Sequence, residues 1–406
     1  MKQEIILLNI IGEDKAGISS SLTEILSQYN IPILDIGQAV IHDQLSLGIM
    51  FKIPQKTESS PILKDLLFKA YELNVQAKFT PVNEGNYNEW VNQQGKKRFI
   101  ITLISRETTA TQLSKLTDLI YKQGLNIDVI ARLTGRLPLD NHTKITRSSI
   151  ELSVRGNPID ELSFRKSLMD ISKKTGADIA FQEDNIFRRN RRLVCFDMDS
   201  TLIQTEVIVE LAKRHGVGEQ VHKITEAAMR GELDFNESFV QRVALLKGLD
   251  ESVMEDIARN LPITEGAEIL FKALNKYGFK TAILSGGFNY FGKYLQHKLG
   301  IDYVFSNELE IKDGKLTGKH LGDIVNGEMK AELLKKIAFK EDIHLEQVVA
   351  VGDGANDLPM LNIAGLGIAF HAKPKVKENA QQAISTIGLD AILYLMGFRD
   401  REIGIE

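Results

Sequence analysis

A single cysteine is the most informative shortage in this 406-residue sequence. One cysteine cannot form a disulfide within the chain, which excludes the small secreted modules that disulfides hold together. Long apolar runs are also missing: no segment has the length that a membrane-spanning helix needs, and MKQEIILLNIIGEDK lacks the apolar core of a signal peptide. Basic charge is not in excess, since the formal net charge is −4 at pH 7. We therefore expect a cytoplasmic protein with neither a nucleic-acid nor a membrane partner.

The first part of the chain contains a diverged repeat. EIILLNI at 4–10 and FIITLI at 99–104 read as strands, and each precedes a loop and a segment with apolar residues at helical spacing. Second strand candidates begin at Asn30 and Asn126. The order βαββαβ, present twice, predicts two small α+β ferredoxin-like domains, at 1–85 and 96–184, with the polar segment NEGNYNEW as a linker.

The pattern changes to α/β at about residue 190. The apolar segments LVCF, TAIL, YVF, VVAV and GIAF alternate with helical segments, which predicts a Rossmann-like doubly wound parallel sheet over 190–406. Residues 207–262 read as mostly helical and come directly after the first of these strands. We interpret them as a helical cap over the carboxyl ends of the strands, where such sheets place their sites. The basic run in EDNIFRRNRR is interpreted as a solvated linker or a strand flank and not as a nucleic-acid patch.

The sequence LVCFDMDSTLI carries the sharpest chemical signal. Asp197 and Asp199 follow an apolar strand, and on an extended backbone residues two apart point to the same side, so both carboxylates can converge there. Adjacent carboxylates repel each other unless a cation or a shared proton offsets the repulsion. Taken alone, the pair would be interpreted as capping residues of a strand-to-helix turn.

Further polar groups follow later strands in a fixed order. The first is a hydroxyl with free backbone N–H groups suited to phosphate oxygens, the second a lysine that begins a helix, and the third a polar loop that contains glycine. In sequence order these groups are Ser285 and Gly286 in FKTAILSGG, Lys330 in GEMKAELL, and Asp353, Asn356 and Asp357 in VVAVGDGANDLPM. Each is common in isolation, but together with the aspartate pair they indicate one phosphate-handling site.

These motifs resemble the haloacid dehalogenase superfamily of aspartate-nucleophile phosphatases, over about residues 190–400. The cap narrows the resemblance to the phosphoserine phosphatase branch, through Glu206 and, in AAMRGELDFNESFVQRVALLKG, through Met229, Phe235 and Arg242. The N-terminal repeat is similar to a tandem of ACT amino-acid-binding domains, over roughly 1–184. The two resemblances together cover nearly the whole chain.

The resemblance implies a role for each motif residue. Asp197 would be the nucleophile that forms an aspartyl-phosphate, and Asp199 the acid and then the base. Mg²⁺ would be held by the Asp197 and Asp353 side chains and the Asp199 backbone carbonyl. Ser285, Gly286 and Lys330 would bind the phosphoryl oxygens, with Asn356 and Asp357 as supporting residues.

The cap residues would select phosphoserine as the substrate, in the last step of serine biosynthesis. Glu206 is the candidate partner of the substrate ammonium and Arg242 that of its carboxylate, while Met229 and Phe235 would form an apolar wall that excludes water. The alternative for these four residues is an ordinary helical bundle, with Met and Phe in its core and Glu and Arg as surface charges.

The ACT resemblance implies an amino-acid effector, and serine feedback on a homodimer is our hypothesis. In the first copy the loop GEDKAGISS supplies Asp14, Ala16 and Gly17, and glycine permits close backbone approach at a helix start. The corresponding loop of the second copy, ISRETTATQL, contains no glycine. The second copy is therefore interpreted as a packing or dimerisation module.

Two alternative functions remain open at this point. One is a phosphatase or phosphotransferase that acts on another small phosphomonoester. The other is an amino-acid sensor whose phosphatase part is catalytically dead, against which the presence of Asp197, Asp199, Lys330 and Asp353 argues.

Overall fold

The computed structural model describes residues 4–55, 57–136 and 147–404, with the exception of the Met229 side chain. The chain divides into two compact units, one up to Lys96 and one from Lys97 onward. Among the described residues, no helix combines the length and the apolar character that crossing a membrane requires.

The first unit contains a four-stranded antiparallel sheet in the order β2-β3-β1-β4. Its elements are β1 (Glu4–Glu13), α1 (Ile18–Gln28), β2 (Ile33–Ile41), β3 (Gln44–Ile53), α2 (Ser59–Glu72), β4 (Gln76–Val82) and α3 (Glu84–Gln94). Alternate β1 residues Ile6, Leu8 and Ile10 are buried in one core with residues of α1 and α2, as the two-residue period of a strand requires. We call residues 4–82 the first sandwich.

The segment predicted to be a linker is helical. NEGNYNEW lies at the start of α3, where the Asn83 side chain caps the helix by accepting a hydrogen bond from the Asn86 N–H at 2.7 Å. Every residue of α3 is at least partly exposed. Without an apolar face, this helix carries no periodic signal in the sequence.

The second unit begins with a sheet of the same topology, in the order β6-β7-β5-β8. Its elements are β5 (Arg98–Ser105), α4 (Ala110–Lys122), β6 (Asn126–Arg132), β7 (Ser148–Arg155), α5 (Glu161–Thr175) and β8 (Asp178–Glu183). We call residues 98–183 the second sandwich. In β5 every residue after Arg98 is buried, because Ile104, together with Leu133 and Ala180, belongs to the core of the α/β part.

In the basic run after the second sandwich, the interpretation as solvated residues is wrong for the first arginine, whereas Arg189 and Arg192 are exposed. Arg188, in the short helix α6 (Ile186–Arg189), is only 5% exposed and its guanidinium donates to Glu151 Oε2 at 2.5 Å. A guanidinium is buried only where an acidic or carbonyl partner receives it. The partner is on β7, far away in sequence, so composition alone could not reveal the pair.

The remainder of the second unit is a seven-stranded sheet in the order β12-β11-β10-β9-β13-β14-β15, parallel except for β12. Its strands are β9 (Leu193–Phe196), β10 (Lys280–Phe288), β11 (Tyr303–Lys312), β12 (Lys315–Leu321), β13 (Val348–Gly352), β14 (Leu366–Phe370) and β15 (Gln382–Ile384). Strand β9 is central and fully buried, since Leu193 and Cys195 face one core and Val194 and Phe196 face the other.

Helices cover both faces of this sheet. Those after the cap are α11 (Ala267–Lys276), α12 (Asn289–Leu299), α13 (Gly327–Lys340), α14 (Leu358–Ile363), α15 (Pro374–Asn379), α16 (Ala391–Leu395) and α17 (Asp400–Ile403). The insertion between β9 and β10 consists of α7 (Val207–His215), α8 (Gly218–Met229), α9 (Phe235–Ala244) and α10 (Ser252–Arg259). The predicted fold class is confirmed: a capped doubly wound sheet preceded by two α+β sandwiches.

Candidate active site

The candidate site lies where the central strands of the sheet end. Asp197 follows β9 and its N–H donates to the Val351 carbonyl at 2.9 Å, which holds it beside β13. Asp353 follows β13 directly, and Asp357 lies on the same loop. Carboxylate oxygens of these three aspartates lie within 4.8 Å of one another, because parallel strands bring their carboxyl ends to one edge of the sheet.

Lys330 is the cation of this cluster and is completely buried. Its Nζ lies 2.8 Å from Asp197 Oδ1 and 2.6 Å from Asp357 Oδ1. Burial by itself would lower the pKa of Lys330, but the two carboxylates outweigh that effect and raise the pKa above its usual range. The lysine begins its helix because the Asn326 side chain caps α13, accepting from the Met329 N–H at 3.0 Å.

Asp357 has both of its carboxylate oxygens engaged. Oδ1 accepts from Lys330, and Oδ2 accepts from the Gly354 N–H at 2.9 Å. A Cβ on Gly352 would lie 2.4 Å from Asp357 Oδ2, so this loop can close only around a glycine. Burial, and then repulsion from Asp197, raises the pKa of Asp357 to about 6. This arrangement suits a residue that orients Lys330.

The remaining carboxylate oxygens suit a hard divalent cation. Asp197 Oδ1 is buried, with the Lys330 Nζ at 2.8 Å. Asp353 accepts a hydrogen bond from the Thr201 hydroxyl, at 3.2 Å. Burial, followed by repulsion from Asp197, raises the pKa of Asp353 to about 8. Three carboxylates facing one ammonium leave excess negative charge, and oxygen ligands of this kind fit Mg²⁺.

Asp199 stands in a different environment from Asp197. Its Oδ1 accepts from the Val207 N–H, at 3.4 Å. Burial, and then the charges of Asp197 and Glu206, raises the pKa of Asp199 well above its usual range. The two aspartates of the motif therefore differ in kind: Asp199 can carry a proton, while Lys330 pairs with Asp197.

The Ser285–Gly286 loop forms the next wall of the site. Ser285 is fully buried and its Oγ accepts from the Gly287 N–H at 3.0 Å, while the β10–β11 register breaks immediately after it. A Cβ on Gly286 would lie 2.8 Å from Phe235 Cζ, and one on Gly287 would lie 2.9 Å from Asp199 Oδ2. Glycine is needed here because Phe235 of the cap and the Asp199 carboxyl both approach the backbone closely.

Sequence reasoning missed the residue that supports this loop. Asn307, at 2% exposure, donates from Nδ2 to the Gly286 carbonyl at 2.8 Å, and its Oδ1 accepts from the Val325 N–H at 2.8 Å. It thereby ties the glycine loop to the segment that leads into the helix of Lys330. The only signal in the sequence was an asparagine inside the strand VFSNELE.

Three of the four cap residues approach the same edge of the sheet. Phe235, the first residue of α9, contacts Gly286. Arg242 donates from Nε to the Ser238 carbonyl at 3.3 Å. Burial lowers the pKa of Arg242, although the negative charges of Glu206 and Asp199 act to raise it. The side chain of the fourth, Met229, lies outside the described residues. Asn356 packs its carbonyl against Gly327 at the start of α13.

The candidate effector loop of the first sandwich is open. Gly17 adopts a left-handed φ of 95° at the start of α1, no described side chain caps that helix, and Ala16 and Asp14 are exposed beside it. A Cβ on Gly17 would meet no described atom within 4 Å. In the second sandwich the helix start is closed by its own side chains, since Thr109 and Gln112 form a capping box.

Comparisons with known proteins cover both parts of the chain. The ACT domain family matches residues 4–80, and the haloacid dehalogenase-like hydrolase family matches residues 194–362. Phosphoserine phosphatase of Streptomyces coelicolor is 37% identical over 98% of this chain and 93% of its own length. Phosphoserine phosphatase SerB2 of Mycobacterium tuberculosis is 36% identical over 98% of this chain and 94% of its own length.

A solved structure extends this similarity to three dimensions. The unliganded probable phosphoserine phosphatase of Vibrio cholerae has a TM-score of 0.59 and 34% identity, and the match covers 76% of this chain and 89% of that one. The similarity thus includes sequence outside the catalytic motifs.

Proposed function

Because the chain belongs to the phosphoserine phosphatase family, we propose that it hydrolyses O-phospho-L-serine to L-serine and phosphate, through an aspartyl-phosphate on Asp197. The observation that carries the proposal is the contrast within one motif. Asp197 is paired with the buried Lys330 ammonium at 2.8 Å, and two residues later Asp199 has a pKa raised above its usual range. One carboxylate is suited to attack and the other to deliver a proton.

The reaction consists of two displacements at phosphorus. An oxygen of Asp197 forms a bond to phosphorus while the bond from phosphorus to the serine oxygen breaks, and Asp199 gives its proton to that oxygen. Asp199, now a carboxylate, takes a proton from a water molecule whose oxygen attacks the phosphorus of the aspartyl-phosphate. The Asp197 carboxylate and inorganic phosphate are released, and Asp199 is again protonated.

The phosphoryl oxygens would meet positive charge and donors that are already in place. Lys330 is fixed between Asp197 and Asp357 and is buried, so it does not reorganise as charge develops. The Ser285 hydroxyl and the Gly286 N–H would complete the set, with Asn356 as a supporting residue. Asn307 supports them by fixing the Gly286 carbonyl.

A divalent cation fits the same cluster. The Asp197 and Asp353 side chains and the Asp199 backbone carbonyl would hold Mg²⁺, while Asp357 is already occupied by Lys330 and Gly354. When bound, the ion would neutralise the repulsion between an anionic nucleophile and the phosphate dianion.

The cap supplies groups that match the amino-acid part of the substrate. Arg242 is partly buried near Asp199 and Glu206. It would bind the substrate carboxylate, while Glu206 would bind the ammonium. Phe235 against Gly286, and Met229, would exclude water from the aspartyl-phosphate. The match favours phosphoserine over other small phosphomonoesters and over transfer to another hydroxyl acceptor.

Serine, the product, is our proposed effector at the first sandwich, in a homodimer. Asp14, Ala16 and Gly17 surround the uncapped start of α1, where free N–H groups can receive a carboxylate.

The test of the reaction is phosphate release from O-phospho-L-serine, with Mg²⁺ and with a chelator. We expect activity only with the metal, and for Asp197→Asn a loss of about a thousandfold or more, since removing a nucleophile removes the covalent route. Asp170→Asn, at an exposed aspartate of α5, is the matched control and should retain wild-type activity. Wild-type turnover by Asp197→Asn, or a trapped phosphoryl label on another residue, would refute the proposal.

Arg242→Ala tests the choice of substrate. Loss of a charge-assisted contact should raise KM for phosphoserine by about tenfold or more while leaving a small aryl phosphate unaffected. Equal effects on both substrates would contradict the carboxylate assignment and favour another phosphomonoester.

A further inference from the structure

Arg106 of the second sandwich reaches into the α/β part. It lies on the loop after β5, which corresponds to the Gly17 loop of the first sandwich. Its guanidinium binds Glu265 through both nitrogens, with NH1 to Oε1 and NH2 to Oε2 each at 2.7 Å. Its Nε donates to the Thr386 carbonyl at 3.2 Å. Two parallel hydrogen bonds of this kind fix the relative orientation of the guanidinium and the carboxylate as well as the distance between them.

Glu265 stands on one of the two connections between the cap and the sheet. The connection that leaves the sheet runs from Leu202 to Glu206, and the one that returns runs over residues 260–266. The two are joined by Gln204 N–H to the Pro262 carbonyl at 2.9 Å, by Thr264 N–H to the Leu202 carbonyl at 3.0 Å, and by an isolated bridge. We call these paired segments the cap hinge.

A second contact reaches the cap hinge through the loop after β15. Asp178, at the start of β8, accepts from the Ser385 and Thr386 N–H groups, each at 2.8 Å. Further along this loop, the Leu389 N–H donates to the Glu265 carbonyl at 2.8 Å. A Cβ on Gly388 would lie 2.3 Å from that same carbonyl, so the loop and the hinge are in direct contact.

The hinge leads directly to the residues that would select the substrate. Glu206 ends the outgoing connection at the N-cap position of α7, where its side chain makes no capping hydrogen bond, and Asp199 lies only a few residues before it. A rotation at the hinge would therefore move Glu206 and Arg242 relative to the Ser285–Gly286 loop. The second sandwich thus uses its loop after β5 to contact the cap hinge, whereas the first sandwich leaves the corresponding loop open.

We propose that Arg106 is a positioning residue, which holds the cap hinge in the orientation that places Glu206 and Arg242 over the phosphoryl site. The inference rests on the phosphatase activity proposed above. Exposed ion pairs contribute little to global stability, and the side chains of Arg106 and Glu265 are 40% and 41% exposed. Loss of this ion pair is therefore expected to change the orientation of the cap and to leave the melting temperature of the protein unchanged.

The experiment compares Arg106→Ala, Arg106→Lys, Glu265→Gln and the double variant in the full-length protein. We expect Arg106→Ala to lower kcat/KM for phosphoserine by roughly threefold to tenfold, since fixing a hinge has about the energy of one or two hydrogen bonds. A small aryl phosphate, which has no group for Glu206 or Arg242, should be affected much less. Arg106→Lys should recover part of the loss, and the double variant should be no worse than the worse single variant.

Hydrogen exchange supplies a readout that does not depend on catalysis. The Gln204 and Thr264 amides should exchange faster in Arg106→Ala and Glu265→Gln, with an unchanged melting temperature. Lys122→Ala, which removes an exposed ion pair elsewhere on the second sandwich, is the matched control and should change neither readout. If Arg106→Ala fails to fold, Glu265→Gln carries the same test.

The outcomes separate this inference from the proposed function. Unchanged exchange at Gln204 and Thr264, or equal kinetic losses on both substrates, would overturn the positioning role. If the wild type released no phosphate from phosphoserine, the proposed function would fail, and the exchange data would still decide whether Arg106 holds the hinge.

Discussion

The two sandwiches have the same strand order and opposite surroundings. In β1 of the first sandwich burial alternates, and its Ile11 is 53% exposed. In β5 of the second, both faces are buried, and Ile104 belongs to the core of the α/β part. The first sandwich also leaves its Gly17 loop open, whereas the second turns Arg106 of the corresponding loop toward Glu265. One fold thus serves once as a separate unit and once as a part of the enzyme core.

This difference indicates how a repeat can divide its tasks. A sheet with one free face and an uncapped helix start remains available for a ligand. A sheet with two buried faces has no face available for a ligand, because the residues of both faces pack against their neighbours at crystal-like density. The predictions below test whether the contrast between the two sandwiches is as sharp in solution.

Removal of each sandwich in turn should produce the largest difference in the stability of the remaining chain. A fragment starting at Lys97 should keep phosphatase activity, since the chain from there onward forms its own compact unit. A fragment starting at Asn190 should lose at least about 3 kcal/mol of stability, because it exposes the surface that buries Ile104 and Leu133, and each such side chain contributes about 1.5–3 kcal/mol. Chemical denaturation of both fragments measures this, and equal stabilities would break the comparison.

A single side chain in each sandwich should show the same contrast on a smaller scale. Leu133→Ala should destabilise the second unit by about 2–4 kcal/mol, since Leu133 is 3% exposed in the core shared with the α/β part. Ile11→Ala in the first sandwich should change stability by less than about 0.5 kcal/mol, because the side chain is already exposed. Denaturant midpoints would measure both, and similar values would mean that both outer faces are equally buried.

The serine response depends on a single loop of each sandwich and gives the finest distinction between them. Saturating serine should raise the melting temperature of the wild type by a few degrees, since a ligand at about a hundred times its Kd adds about 2.7 kcal/mol. Gly17→Ala should abolish the shift, because alanine is strained at a φ of 95° by about 1–2 kcal/mol. Thr109→Ala, at the corresponding helix start of the second sandwich, should keep the response. A wild type without any shift would refute the effector proposal and leave the catalytic one intact.

Periodicity and motif spacing predicted most of the architecture. Strand β9 was recognisable because a continuous apolar run followed by acidic residues has few other interpretations, and Asp197, Asp353 and Lys330 do converge at its end. Strands β12 and β15 were missed, since one is a polar edge strand and the other has only three residues. Helix α3 was missed because it has no apolar face.

Other features had no local signal at all. Asn307 lies in a strand, and only the folded chain shows that its amide joins the Gly286 carbonyl to the Val325 N–H. Arg188 sits in a basic run that reads as solvated, yet its partner Glu151 on β7 makes burial possible. A hydrogen bond between residues far apart in sequence leaves no periodic trace, because either partner alone is compatible with many environments.

The amino-acid sequence by itself determined the order of strands and helices and the chemical groups that end the central strands. Both are local properties, set by side-chain periodicity and by what a backbone can do at a strand end. The tertiary structure alone decided which faces of each sandwich are buried and that Arg106 pairs with Glu265. Burial and pairing are relations between distant segments, and their free energies exist only once those segments have come together.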